Sequence, residues 1–165
     1  MGKLFKIPIA EIKKSLSEFK GIERRLELIG EKGKIKVYDD YAHHPTAIRA
    51  TIEALRQKYP QEKLWVIVEP HTFSRTRALL KLYKNAFDQA DKVIIAPIFA
   101  SRDQKDFGVS GESIVKVVRK KDIQYLDNFA KIISLVKKNA KPKDIIIVMG
   151  AGKSYDLSRQ ILKAL

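Results

Sequence analysis

The sequence has only three histidines, His43, His44 and His71, and all of them fall in two short segments, Asp39-Asp40-Tyr41-Ala42-His43-His44-Pro45 and Glu69-Pro70-His71-Thr72-Phe73-Ser74-Arg75. Arginine offers a planar fork for a carboxylate or phosphate, and a histidine titrating near neutrality can hold or relay a proton on a reacting amine. His71 with Arg75 and Arg77 therefore points to an anionic substrate carrying a nitrogen. The competing reading has both arginines opening a helix and facing water. Because an arginine at a helix start opposes the helix dipole, a bound anion explains the placement better. Arg24-Arg25 is a weaker version of the same signal. Asp39 and Asp40 project to opposite sides of an extended chain, so at most one enters a crevice, where it can accept from ribose hydroxyls or cap a helix. A divalent-metal site would need the two adjacent histidines to converge. Metal-type spacing such as H-x-x-x-H is absent, and no metal ligands are assigned.

These residues need a frame. Arg25-Leu26-Glu27-Leu28-Ile29 and Lys34-Ile35-Lys36-Val37-Tyr38 alternate around Gly30-Glu31-Lys32-Gly33 and predict a hairpin with one wet face. The runs Leu64–Val68, Val93–Ala96 and Ile145–Val148 are continuously apolar, as parallel strands buried on both faces are. Helical stripes lie between them: Ile48, Ile52 and Leu55; Leu79, Leu82, Tyr83, Ala86 and Phe87; Ile114, Val117 and Val118; Phe129, Ile132, Ile133 and Val136; and Leu157, Ile161 and Leu165. A short strand fits at Ile123 to Leu126, and Ile12, Leu16 and Phe19 stripe a leading helix. The order predicts an α/β fold, a Rossmann-like doubly wound and mostly parallel sheet with helices on both faces and an N-terminal β-hairpin. Right-handed crossovers then place every strand-to-helix loop at one sheet edge, where ligands bind. The two histidine segments, Ile98–Arg102 and Gly150–Ser154 all belong to that edge.

Gly150-Ala151-Gly152-Lys153-Ser154 follows a buried strand and opens a helix, the setting of a phosphate-binding loop. However, the first glycine of G-x-x-x-x-G-K-[ST] would fall on Ile147, inside the strand. What remains is a tight turn into the last helix that can still contact an anion.

Composition narrows the class. The 165 residues include 45% hydrophobic and 32% charged side chains, so a folded core is affordable, and without cysteine there are no disulfides, thiolate metal sites or thiol nucleophiles. Apolar runs of four or five residues are too short for a membrane span, and the N-terminus lacks a signal-peptide core. A cytoplasmic setting is expected. The formal charge of +14 first suggests a polyanion, yet residues 37–112 are nearly neutral and the excess sits at the two ends, on the polar faces of helical stripes. No nucleic-acid-binding motif accompanies it. A basic nucleic-acid module is the rival from another class, and a hydrolase with metal on the three histidines is a third reading.

Taken together, Phe19-Lys20-Gly21-Ile22-Glu23-Arg24-Arg25-Leu26, Asp39-Asp40-Tyr41-Ala42-His43-His44-Pro45-Thr46, Glu69-Pro70-His71-Thr72-Phe73-Ser74-Arg75-Thr76-Arg77 and Gly150-Ala151-Gly152 resemble the C-terminal domain of the Mur ligases. Within that family they are most similar to the branch acting on UDP-N-acetylmuramate and L-alanine. The resemblance runs from about residue 7 to the end. It implies a three-domain ligase of peptidoglycan synthesis, in which a UDP-sugar domain and a central P-loop ATPase domain precede this one. ATP and Mg2+, held mainly by the central domain, activate the muramoyl carboxylate as an acyl phosphate, and the amine of L-alanine attacks it. On that reading residues 1–21 are a leading helix and interdomain segment, 22–165 are the C-terminal domain, and the chain alone is inactive.

Residue by residue, the resemblance places Arg25 at the ATP γ-phosphate, and Asp40 at the ribose with Tyr41 beside the nucleotide. Tyr41, His43, His71 and Arg75 line the amino-acid side, Arg75 meeting the alanine carboxylate, and Arg25, His43 and His71 are the catalytic candidates. The sequence departs from the family pattern at Ala47, usually Glu, at Leu26, usually Phe, and at Lys153, often acidic. Thr72 stands where some members have a second arginine. The nearest rival within the family is a recycling ligase that joins a peptide to the muramate, which a pocket deeper than alanine needs around Thr72 and Phe73 would favour.

Overall fold

A computed structural model describes residues 5–19 and 21–165; Met1–Leu4 and Lys20, part of the expected leading segment, lie outside the described residues. In chain order the elements are α1 (Ile9–Glu18), β1 (Glu27–Lys32), β2 (Ile35–Asp40), α2 (Pro45–Lys58), β3 (Leu64–Glu69), α3 (Phe73–Leu79) continued by a 3-10 helix (Leu80–Asn85), β4 (Lys92–Ile95), α4 (Gly111–Val118), β5 (Ile123–Tyr125), α5 (Phe129–Asn139), β6 (Ile145–Gly150) and α6 (Ser154–Ala164). The strands form one sheet in the order β1-β2-β6-β3-β4-β5. Only the β1–β2 hairpin is antiparallel. Every residue of β3 and β6 is buried, as continuous apolar runs between two helical layers require. On one face Ile48, Ile52 and Leu55 of α2, Tyr83, Phe87 and Ile114 pack on Val66, Val68 and Ile147. On the other, Ile132 and Val136 of α5 with Leu157 and Ile161 of α6 cover Trp65, Ile67, Ile146 and Val148. The expected doubly wound α/β architecture is therefore present.

Three local expectations are corrected. The hairpin reverses at Gly33 and Lys34, both left-handed at φ 58° and 63°, while Gly30 lies within β1 beside a register shift. Any Cβ at Gly30 would sit 2.7 Å from Leu162 Cδ2, so its glycine marks close approach and not a turn. The stripe from Leu79 to Phe87 is not one α-helix. The helix starts earlier, at Phe73, and tightens after Leu79, so that the three-residue spacing of Leu80, Tyr83 and Ala86 faces inward and Leu82 is left 55% exposed. Finally, α1 forms but buries none of its residues; Leu16 is 69% exposed and Phe19 falls beyond the helix end.

Candidate functional site

At the carboxyl ends of β2, β6 and β3 most of the polar groups bind one another, Asp39 Oδ1 alone being buried without a hydrogen bond among the described residues there. Glu69, the last residue of β3 and the register partner of Gly150, is 4% exposed. Its Oε2 accepts the Ser154 amide at 2.9 Å, and the backbone of Lys153 and Gly152 also favours the charged carboxylate. The glycine turn is thus a nest of N–H groups already occupied by an anion of the same chain. A Cβ on Gly152 would meet Glu69 Oε2 at 2.6 Å and the Phe99 ring, so only glycine admits the carboxylate. Burial raises the Glu69 pKa despite these bonds. Arg24, left-handed at φ 57°, donates from Nε to Asp39 Oδ2 at 3.0 Å and from Nη2 to the Gly150 carbonyl at 2.6 Å and Ser154 Oγ at 3.1 Å. Asp39 is fully buried; burial raises its pKa and Arg24 opposes the rise. Asp40, 6% exposed, accepts the Leu26 amide on Oδ2 and the Ala42 amide on Oδ1, both at 2.7 Å.

The two arginines therefore separate. Arg24 braces the strands, whereas Arg25 is exposed, has no acidic partner among the described residues, and places Cζ 5.8 Å from the Tyr41 ring. From Tyr41 a row of rings crosses the edge. Tyr41 meets His43 edge-on at 5.4 Å between centroids, His43 lies 5.4 Å from His71, and His71 lies 5.8 Å from Phe99. His44 is drawn elsewhere, its Nδ1 accepting the Thr46 amide at 3.3 Å to cap α2. Among the described residues no group of three or more His, Cys, Asp or Glu side chains is placed to hold a metal ion. His71 Nδ1 is buried and without a hydrogen-bond partner among the described residues. Burial first, then His43, Arg75 and Arg102, lower the His71 pKa and favour the neutral imidazole.

Beyond His71 the edge opens. Thr72 is left-handed at φ 61° and its side chain accepts the Arg75 amide at 3.3 Å, starting α3. Asp103 from the β4–α4 loop accepts the Ser74 amide at 2.7 Å and Ser74 Oγ at 3.1 Å. The anion expected at this helix start is therefore Asp103, which these bonds hold below its ordinary pKa. Arg75 remains free of it. A cavity of about 540 Å³ is lined by His71, Thr72, Ser74, Arg75, Ser101 and Arg102; Arg77 is not among them. A wider groove of about 920 Å³ lies at the opposite sheet edge, but its Arg56 is already engaged by Asp91 and the Gln89 carbonyl, and none of the histidines reaches it.

The structure thus brings Arg25, Tyr41, His43, His71 and Arg75 to one edge, with Asp40 beneath it. Sequence reasoning overlooked Glu69, Arg24 as a brace, and Arg102. Glu69 carried a signal, a carboxylate closing an otherwise apolar strand; Arg102 carried only its membership of a third loop at that edge.

The family model described as Mur ligase, glutamate ligase domain, matches residues 24–152. Among curated relatives, the UDP-N-acetylmuramate--L-alanine ligase of Alkaliphilus metalliredigens is 43% identical over 156 residues, covering 94% of this chain and 34% of the relative. That of Acetivibrio thermocellus is 42% identical over 158 residues, covering 94% and 33%. Among solved structures, a UDP-N-acetylmuramate-alanine ligase from Thermotoga maritima superposes with a TM-score of 0.82 at 22% identity, covering 98% of this chain and 34% of that one. A murein peptide ligase from Psychrobacter arcticus gives 0.74 at 29% identity, covering 92% and 32%. The chain spans about a third of the length of the curated relatives it matches.

Proposed function

This chain belongs to the Mur ligase family, as its glutamate ligase domain, and from that premise we propose that it is the amino-acid-binding domain of an ATP-dependent ligase joining L-alanine to UDP-N-acetylmuramate in peptidoglycan synthesis. The observation that carries the reading is the placement of Arg75 and the His43–His71 pair at one end of a row of rings whose other end is Tyr41 and the free Arg25. The guanidinium of Arg75 takes the alanine carboxylate as a charge-assisted pair. His71, kept neutral, is in the state that accepts a proton from the attacking amine, and His43 beside it shares that side. When bound, ATP supplies the phosphoryl group that activates the muramoyl carboxylate. Arg25 offsets negative charge on that group and Tyr41 flanks the nucleotide. Asp40 keeps lone pairs beyond its two backbone bonds for the ribose hydroxyls. Mg2+ is taken to be held mainly by the central domain of the whole ligase. Residues 1–21 are taken as the interdomain segment and 22–165 as the domain. No helix of the described residues is long and apolar enough to cross a membrane, and a cytoplasmic location accords with the substrates proposed.

The test replaces the matching third of the Alkaliphilus metalliredigens ligase with residues 22–165 of this chain. We expect alanine-dependent release of ADP from the chimera and none from the 165-residue chain alone. Turnover by the chain alone, or a chimera that folds and binds ATP but ignores L-alanine, overturns the reading. Activity with a peptide acceptor and not with L-alanine would move it to the recycling branch.

A further inference from the structure

The cavity beside His71 presents two guanidinium groups, one imidazole and three hydroxyls, with no carboxylate in its lining. Asp103, next to Arg102 in the chain, directs both oxygens to the amide and hydroxyl of Ser74. Neither Arg75 nor Arg102 has an acidic side chain within ion-pair distance among the described residues. Both nonetheless act on one imidazole, each lowering the His71 pKa, against a smaller opposing effect of Asp103. Like charges collected around a half-buried ring raise the energy of the empty site, and an anion between them relieves it.

The backbone is shaped to bring Arg102 there. Phe99 pairs with His71 as an isolated parallel bridge, accepting the Thr72 amide at 2.9 Å and donating to the Pro70 carbonyl at 2.8 Å. Ser101 then turns through a left-handed conformation at φ 53°, and Asp103 fastens the next turn to α3. Thr72, on the facing wall, is left-handed too. Two strained non-glycine residues lining one cavity are the mark of a ligand clamp whose geometry the fold enforces.

We infer that Arg102 is the second carboxylate-binding cation of this site, lining the same cavity as Arg75 and contributed by the β4–α4 loop. The inference rests on the proposed amino-acid site. It adds that the acceptor's carboxylate is held between two loops, so that binding ties the β4–α4 loop to α3.

The test uses the 165-residue chain, following its arginine Nε–H signals by NMR during titration with L-alanine and, as a control lacking the carboxylate, L-alaninamide. Alanine, and not the amide, is expected to shift both the Arg75 and Arg102 signals. Arg102→Ala and Arg75→Ala should each weaken alanine binding by about tenfold or more, Arg102→Lys less because it keeps charge but loses the fork, and Arg77→Ala not at all. If Arg75→Ala weakens binding while Arg102→Ala leaves it unchanged, the inference is wrong and the site reading stands. If the wild-type chain gives no carboxylate-dependent shift at either arginine, the site reading falls and the inference with it.

Discussion

Arg24 and Arg75 stand at the same sheet edge and serve opposite ends. Around Arg24 the cation is compensated inside the chain: Asp39 Oδ2, the Gly150 carbonyl and Ser154 bind the guanidinium, and Glu69 accepts from the glycine turn, so that Asp39 Oδ1 alone is left without a hydrogen bond among the described residues of this flank. Around Arg75 the helix start is likewise closed by Asp103, but the cations and His71 Nδ1 are left over. The difference is what sets the proposed site apart on an edge where every loop has plausible chemistry. Helix termini and glycine turns can be satisfied from within, so an N–H nest is no sign of a ligand until its occupant is known. Uncompensated cations in a lining with strained backbone are the more telling feature.

Removing the occupant of the glycine turn should have the largest effect. Glu69→Ala strands the buried Ser154 amide and empties the space beside the glycine turn, and should cost about 3 kcal/mol of unfolding free energy in urea. A loss below about 1 kcal/mol would falsify the view that this flank is structural. Gly152→Ala drives a methyl against Glu69 and Phe99 and should cost about 2 kcal/mol, again read from the denaturation midpoint.

Acid should separate the flanks by sign. The folded-state pKa of Glu69 is raised above 4.5, so the folded state takes up its proton first. Relative to Glu69→Gln, the wild type gains stability as pH falls from neutrality through the raised value, levelling off below 4.5. His71 is lowered from 6.5, so its contribution is complete above 6.5 and is lost as pH falls through the folded value. Relative to His71→Asn, the wild type should therefore lose stability on acidification. Unfolding curves at several pH values check both slopes, and slopes of the same sign would erase the contrast. The smallest effect belongs to the open flank itself: Arg25→Ala and Arg75→Ala, both exposed, should change stability by less than about 0.5 kcal/mol in the same assay, whatever they do to ligands.

Periodicity and burial made most of the frame legible. The apolar runs of β3, β4 and β6 announce strands covered on both faces, and the stripes of α2, α5 and α6 appear where spacing puts them. What escaped depended on contacts between distant segments. Gly30 reads as a turn until Leu162 is seen lying on it, and the Leu79–Phe87 stripe reads as an α-helix until Leu82 is found in solvent. Within the site, residue type and loop membership singled out His71 with Arg75, and His43 was separated from His44 only by the family resemblance. They could not distinguish Arg24 from Arg25, because the distinction lies in the buried Asp39 and the left-handed backbone at Arg24. Nor could they show that His44 caps α2, or that Arg102 shares a cavity with Arg75.

The strand order has a consequence for how the molecule comes into being. β6 lies between β2 and β3 and is the only strand joining the hairpin to the other three. Until residues 145–150 have been synthesised and threaded into place, the chain consists of two unjoined pieces of sheet, each with a bare apolar edge exposed to its surroundings. Arg25 and Tyr41 ride on one piece, His71, Arg75 and Arg102 on the other. A chain lacking residues 145–165 would thus be prone to aggregate, and Arg25 and Tyr41 would not be brought beside His71 and Arg75, so assembly of the whole edge waits on β6.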